Sequence, residues 1–177
     1  YDVDRLLAGL QPGNLVILGA RPSMGKTSLA MTMARNAAAG TPDAKSKPVI
    51  VFSLEMSRDE LVTRLLCSEG RVNMQRLKQG YLTDEDWPRL LQAIGRLQDW
   101  PIYMDDTAAI SVMEVRSKCR KLKSELGTDL GKVVNHYLQL KESHASTRNR
   151  AIDSRATEVS YISRSLKALA RELGCPI

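Results

Sequence analysis

The sequence predicts an α/β fold, a mainly parallel sheet flanked by helices, and three observations carry that expectation. An apolar run, Leu15-Val16-Ile17-Leu18, leads through a short loop into a helical segment at residues 28–38. Pro48-Val49-Ile50-Val51-Phe52-Ser53 is apolar and β-branched on both faces, the composition of a buried parallel strand. Amphipathic helical stretches then alternate with short apolar runs. A length of 177 residues suits one domain with a sizeable core, and residues 1–177 are expected to form one.

The elements follow in order. A first strand is expected at residues 14–19, with its helix running to about residue 39. Residues 40–47 are polar and breaker-rich, a connection to the strand at 48–53. Ser57 with Glu60 reads as a capping box ahead of Leu61, Val62, Leu65 and Leu66. Residues 83–100 read as a helix, with Leu90, Leu91, Ile94 and Leu97 at helical spacing. Pro101-Ile102-Tyr103-Met104 is a short strand. Ser111 and Glu114 form a second capping box, followed by Val112, Val115, Cys119, Leu122 and Leu126 as one core-facing stripe. Residues 132–140 read as a strand, and 141–155 are polar without periodicity. A last helix is expected at 156–173, with Val159, Ile162, Leu166, Leu169 and Leu173 inward. There is no internal repeat.

Ala20-Arg21-Pro22-Ser23-Met24-Gly25-Lys26-Thr27 fits the phosphate-binding pattern A/G-x-x-x-x-G-K-[ST], between a strand and a helix as the pattern requires. Gly25 lets backbone N–H groups turn around a phosphate, and the helix start adds unpaired N–H groups and a positive dipole end. Lys26 can reach the β- and γ-phosphates, and the Thr27 hydroxyl can ligate Mg²⁺. A nucleoside triphosphate is the expected ligand. Parallel sheets place chemistry at the carboxyl ends of strands. Glu55, just past the strand at 48–53, can orient or deprotonate an attacking water, or simply charge the start of the next helix; spacing alone leaves both open.

Composition sets bounds. Hydrophobic content is 43%, and no apolar run approaches the ~18 residues of a membrane span, so no membrane partner is expected. Cys67, Cys119 and Cys175 are far apart and lack metal-ligand spacing, which suits reduced residues of a cytoplasmic protein. The net charge of +6 permits a nucleic-acid partner without establishing one. The start at Tyr1 and the apolar end at Cys175-Pro176-Ile177 read as cuts, so a fragment of a longer protein is expected.

The chain resembles the RecA-like motor domain of replicative hexameric DNA helicases of the DnaB type. The matching runs are residues 4–13, the ARPSMGKT loop at 20–27, Phe52-Ser53-Leu54-Glu55-Met56-Ser57, Asp84-Glu85-Asp86-Trp87, Tyr103-Met104-Asp105-Asp106-Thr107, Tyr137-Leu138-Gln139-Leu140 and residues 158–167. They span nearly the whole chain. The resemblance implies a RecA-like P-loop NTPase core using ATP and Mg²⁺ for translocation on single-stranded DNA and duplex unwinding in replication. It implies a homohexamer, with primase and a helicase loader as partners, in a bacterial or phage-type replication machinery. Glu55 maps to the catalytic base, with Lys26 beside it. Arg64 maps to a nucleotide-contacting arginine, against the plainer reading of a helix-surface charge. Ala20, Arg21, Pro22, Ser23, Met24, Gly25, Lys26, Thr27 and Ser28 map to the nucleotide cradle. Asp105 and Asp106 map to loop-ordering residues.

One position departs from the family. An apolar residue and an aspartate normally precede the Tyr137-Leu138-Gln139-Leu140 run, and that aspartate holds the Mg²⁺ shell. Here they are Asn135 and His136. A neutral imidazole can accept a hydrogen bond but supplies no negative charge, and protonated it repels the ion. Efficient hydrolysis is thereby put in question. In the family the following segment faces single-stranded DNA, and Lys141, Arg148, Arg150 and Arg155 are suitable phosphate ligands; composition alone reads it as a solvated loop. The basic cluster Arg116, Lys118, Arg120, Lys121 and Lys123 reads as a solvated helix face or subunit contact. Two other readings remain: a RecA/RadA-type recombination ATPase, and a nucleotide-binding assembly module that does not hydrolyse.

Overall fold

The structure is a computed structural model that describes residues 2–21, 23–41, 45–136 and 153–177, with side chains of 2–4 and 153–156 left aside. The elements run α1 (Asp2–Leu7), α2 (Lys26–Ala39), β1 (Val49–Ser53), α3 (Arg58–Gly70), α4 (Met74–Gln79), α5 (Asp86–Asp99), β2 (Ile102–Asp105), α6 (Val112–Leu126), β3 (Lys132–His136) and α7 (Asp153–Leu173). The three strands form a parallel sheet in the order β2-β1-β3. β1 is central and buried along its whole length, as its apolar, β-branched sequence requires.

Strand alternation divides the core between the two faces of the sheet. Ile50 and Phe52 pack with Val115 and Cys119 of α6 and with Ile162, Leu166 and Leu169 of α7. Val49 and Val51 pack with Met31, Ala34 and Ala38 of α2 and with Leu61 and Leu65 of α3. A sheet covered by helices on both faces results, and β1 and β3 end side by side, with Ser53 in register with His136.

Residues 14–19 differ from the strand expected there. They are extended but hold only a short pairing: Val16 N–H donates to the Ile177 carbonyl at 2.8 Å, and Ile177 N–H to the Asn14 carbonyl at 2.8 Å. On the other side Val133 N–H donates to the Pro176 carbonyl at 3.0 Å. A strand needs a ladder partner, and among the described residues the pairing of this segment is with Ile177. A cavity of about 440 Å³ is lined by Leu15, Val16, Ile17 and Leu18 on one side and by Val134 and Asn135 on the other. Ile17 and Leu18 are correspondingly exposed.

The capping box at Ser111 and Glu114 is complete. At α3 only half of the expected box forms: Ser57 accepts from the Glu60 N–H at 3.3 Å. The expected helix at 83–100 begins at Asp86, and of its stripe Leu90 is buried while Leu91 and Ile94 are exposed. Val159 is likewise exposed rather than inward, and α7 begins at Asp153, ahead of residue 156. The predicted strand residues 137–140 lie outside the described residues.

Candidate functional site

The phosphate loop is shaped by two left-handed residues. Ser23 has φ 65° and Gly25 φ 81°. Gly25 is the N-cap of α2, a conformation that costs a residue with a Cβ about 1–2 kcal/mol. Helix α2 then starts at Lys26, so its first N–H groups face the loop. No acidic residue occupies its first turn, which leaves the positive end of the dipole available to an anion. Ala20, Arg21, Met24, Gly25 and Ser28 are exposed around this start, while Lys26 and Thr27 are half-buried. Pro22 lies outside the described residues.

Folding brings the ends of β1 and β3 to the same place. Thr27 Oγ1 lies 2.6 Å from His136 Nε2, across 109 residues of sequence. Glu55 Oε2 lies 3.7 Å from the same nitrogen. His136 is buried and Glu55 half exposed. Burial pushes the His136 pKa below its ordinary value; the Glu55 carboxylate opposes that shift, and the Lys26 and Arg64 charges add to it. Arg64 itself lies half-buried on α3. His136 is a neutral imidazole at pH 7. With its proton on Nδ1 it can accept from the Thr27 hydroxyl; with the proton on Nε2 it donates instead.

Glu55 stands outside α3. The N-cap there is Ser57, so Glu55 does not cap that helix. Asp105 pairs with Lys118 and accepts from the Thr107 N–H at 3.0 Å. Asp106 accepts from the Arg58 N–H at 3.0 Å. Both acids are thus engaged in ordering local backbone. Asn135, beside His136, has a buried amide whose two polar atoms find no partner among the described residues.

Of the residues expected at DNA, Lys141, Arg148 and Arg150 lie outside the described residues. Arg155 lies within α7, and its side chain is not described. The basic cluster on α6 is paired throughout: Arg116 and Arg120 with Glu172, Lys118 with Asp105, Lys121 with Glu125 and Lys123 with Asp129. That suits a solvated face. Lys167 was not expected at the site's edge. Its ammonium donates to the Gly13 carbonyl at 2.8 Å and to Asn14 Oδ1 at 3.1 Å, tying α7 to the turn that leads to the phosphate loop. A lysine on a helix carries no sequence signal for such a role.

Comparison with known proteins gives a consistent result. A family model described as the DnaB-like helicase C-terminal domain matches residues 1–177. The replicative DNA helicase DnaC of Bacillus subtilis (strain 168) is 47% identical over 176 residues, 99% of this chain and 37% of that protein. The replicative DNA helicase DnaB of Geobacillus stearothermophilus is 48% identical over 176 residues, with the same coverage. The chain thus spans a little over a third of the length of these relatives. A solved DnaB-like replicative helicase, described with its interactions with primase, matches with TM-score 0.82 and 36% identity over 99% of this chain and 40% of that one. The ATPase domain of G40P matches with TM-score 0.82 and 34% identity, over 99% and 59%.

Proposed function

This chain belongs to the DnaB-like helicase C-terminal domain family, with a RecA-like α/β fold, and from that premise we propose that it is an ATP-binding motor domain. In a protein of its relatives' length it would drive translocation on single-stranded DNA and duplex unwinding during replication. Residues 1–177 serve as one ATPase domain in this reading. A homohexamer, primase and a helicase loader are the partners, and the compartment is the cytoplasm. Lys141, Arg148, Arg150 and Arg155 are the proposed DNA contacts. Among the described residues no helix is long and apolar enough to cross a membrane.

The observation that supports this best is the convergence of Lys26, Thr27, Glu55 and His136 at the start of α2. Backbone N–H groups of residues 23–28 and the helix dipole cradle the phosphates of ATP, with Ala20 and Arg21 at the loop's entry and Pro22 within it. Lys26 adds the cation for the β- and γ-phosphates, a charge-assisted contact worth about 1.5–3 kcal/mol. Arg64 supplies a second positive charge from α3. Glu55, half exposed, is placed to take a proton from, or to aim, a water attacking the γ-phosphate.

Mg²⁺ is the ion the family implies. At this point the chain offers the Thr27 hydroxyl, the His136 imidazole and, 3.7 Å from that imidazole, the Glu55 carboxylate, which this reading assigns to the attacking water. A hard cation prefers oxygen donors and carboxylates around its water shell, and β3 ends without one. Without a carboxylate at the end of β3, the donor set does not match the one the resemblance leads one to expect for Mg²⁺.

The test is ATP hydrolysis by a protein of full relative length carrying this domain, with and without single-stranded DNA. DNA-stimulated turnover that Lys26→Ala and Glu55→Gln each abolish supports the proposal. Tight nucleotide binding with no turnover under any condition would instead identify a non-hydrolysing assembly module, the alternative that His136 motivates.

A further inference from the structure

A second cavity lies away from the phosphate loop. Its lining includes Arg35, Arg71, Arg89 and Arg96 with Ser68 and Glu69, and its volume is about 710 Å³. That is within the range of small-ligand sites, roughly 300–1,000 Å³. It sits where the C-terminal parts of α2 and α3 meet α5. Arg35 follows Lys26 by nine residues, about 13 Å along α2. None of its lining residues borders the cavity beside the phosphate loop.

The wall is preorganised. Glu69, nearly buried, accepts from Arg35 Nε at 2.9 Å and Nη2 at 2.6 Å. It also pairs with Arg96 Nε at 2.7 Å, and Arg96 reaches the Glu69 carbonyl at 3.4 Å. Arg35 lies 5.5 Å from the Trp100 ring centroid, which fixes its plane further. Gly70 lets α3 and α5 approach: a Cβ there would stand 3.3 Å from the Arg89 carbonyl. One carboxylate thus spaces two guanidinium groups, whose charges exceed its own.

Two more arginines then face the same space. Arg71, left-handed at φ 53°, caps α3, and no carboxylate pairs with it among the described residues. Among the described residues Arg89 pairs with Glu85 at 3.6 Å, both side chains solvated, a contact worth little, and its charge also acts on Asp86. The contrast with α6 is informative. There five cations meet four acids, Arg116 and Arg120 sharing Glu172; here four guanidinium groups line the cavity with one carboxylate, Glu69.

We propose that this arginine-lined cavity is an anion site for the oligophosphate group of a phosphorylated small molecule. Planar guanidinium forks match phosphate oxygens bidentately. Ser68 and Gln92 supply neutral polar groups, and the concave shape suits a compact ligand.

The test is an amide chemical-shift titration of the 177-residue chain at physiological salt. The phosphate loop is first saturated with ADP, and inorganic tripolyphosphate is the probe. Saturable shifts at residues 68–71 and 89–96 are expected, weakened at least tenfold in the double variant Arg71→Gln, Arg89→Gln. Should that variant lose its fold by circular dichroism, Arg89→Gln alone is read the same way, beside the wild-type map. Shifts confined to residues 25–28, non-saturating shifts spread over α6, or unchanged affinity in the variants overturn the proposal. So does stronger binding of a hexaglutamate peptide at the same residues, which would make the ligand an acidic polypeptide. Because the two sites are read from different amides, failure of ADP to bind at the phosphate loop leaves this result legible.

Discussion

At the end of β3 stands His136, where the resemblance leads one to expect an aspartate, and the geometry separates what it keeps from what it loses. His136 Nε2, 2.6 Å from Thr27 Oγ1, can still accept the hydroxyl proton and hold Thr27 toward the phosphates. It brings no anion. His136→Asp is therefore expected to make ADP affinity rise several-fold on adding Mg²⁺, where the wild-type chain changes little; calorimetry with Mg²⁺ or with EDTA measures this, and equal responses would remove β3 from the metal's surroundings. The same burial predicts a pH effect. The folded-state pKa of His136 lies below its ordinary 6.5, so the unfolded chain takes up the proton first. Stability is full above 6.5 and is lost as pH falls from there toward the lowered value. His136→Gln should flatten that part of the melting-temperature profile, and an unchanged slope would assign it to another group. Asn135 is the companion case. Its amide is buried without a partner among the described residues, a cost of about 1–3 kcal/mol. Asn135→Ile should raise the melting temperature by about 2–4 °C per kcal/mol in a chain of this size; a lower value would show that the amide has a partner. The oddity of both residues was legible in the sequence, but the contact with Thr27, across 109 residues, was not.

Elements were legible where period and caps agreed. Helices α2 and α6 follow their patterns because a continuous apolar stripe meets the sheet, and Ser111 with Glu114 marks a start that local hydrogen bonds enforce. Helix α4 was missed because six residues cannot show a period, although Asn73 as N-cap and Gly80 as C-cap were present as signals. On α5 the helix was right and its inner face only partly so. Periodicity identifies a stripe, but the neighbour decides which side is covered. Here the neighbour is α3, and the contact is Gly70 against Ala93 and the Arg89 backbone. Gly70→Ala sets a Cβ 3.3 Å from the Arg89 carbonyl, overpacking that works against the roughly 0.5–1 kcal/mol alanine gains over glycine in a helix, and a net loss is expected because the carbonyl is held in α5. Urea unfolding should show the loss. A gain in stability, the bare helix preference of alanine, would show that the α3–α5 contact yields at this point.

For the whole molecule, a parallel sheet with helices on both faces was readable because β1 is apolar on both sides and each crossover carries a helix. What the sequence could not convey is the partner of residues 14–19, since a strand exists only with its partner, and here Asn14 and Val16 pair with Ile177, far away in the sequence. The phosphate loop keeps its turn at Gly25 all the same, because that turn depends on local backbone and on α2 rather than on the ladder. The central claim, nucleotide held at the start of α2, is tested most directly by calorimetric titration of the chain with ADP, wild type against Lys26→Ala. Single-site binding to the wild type, weakened about tenfold or more in the variant, is predicted from the loss of one charge-assisted phosphate contact. Equal affinity of the two proteins, or no binding to either, would contradict the assignment of the site.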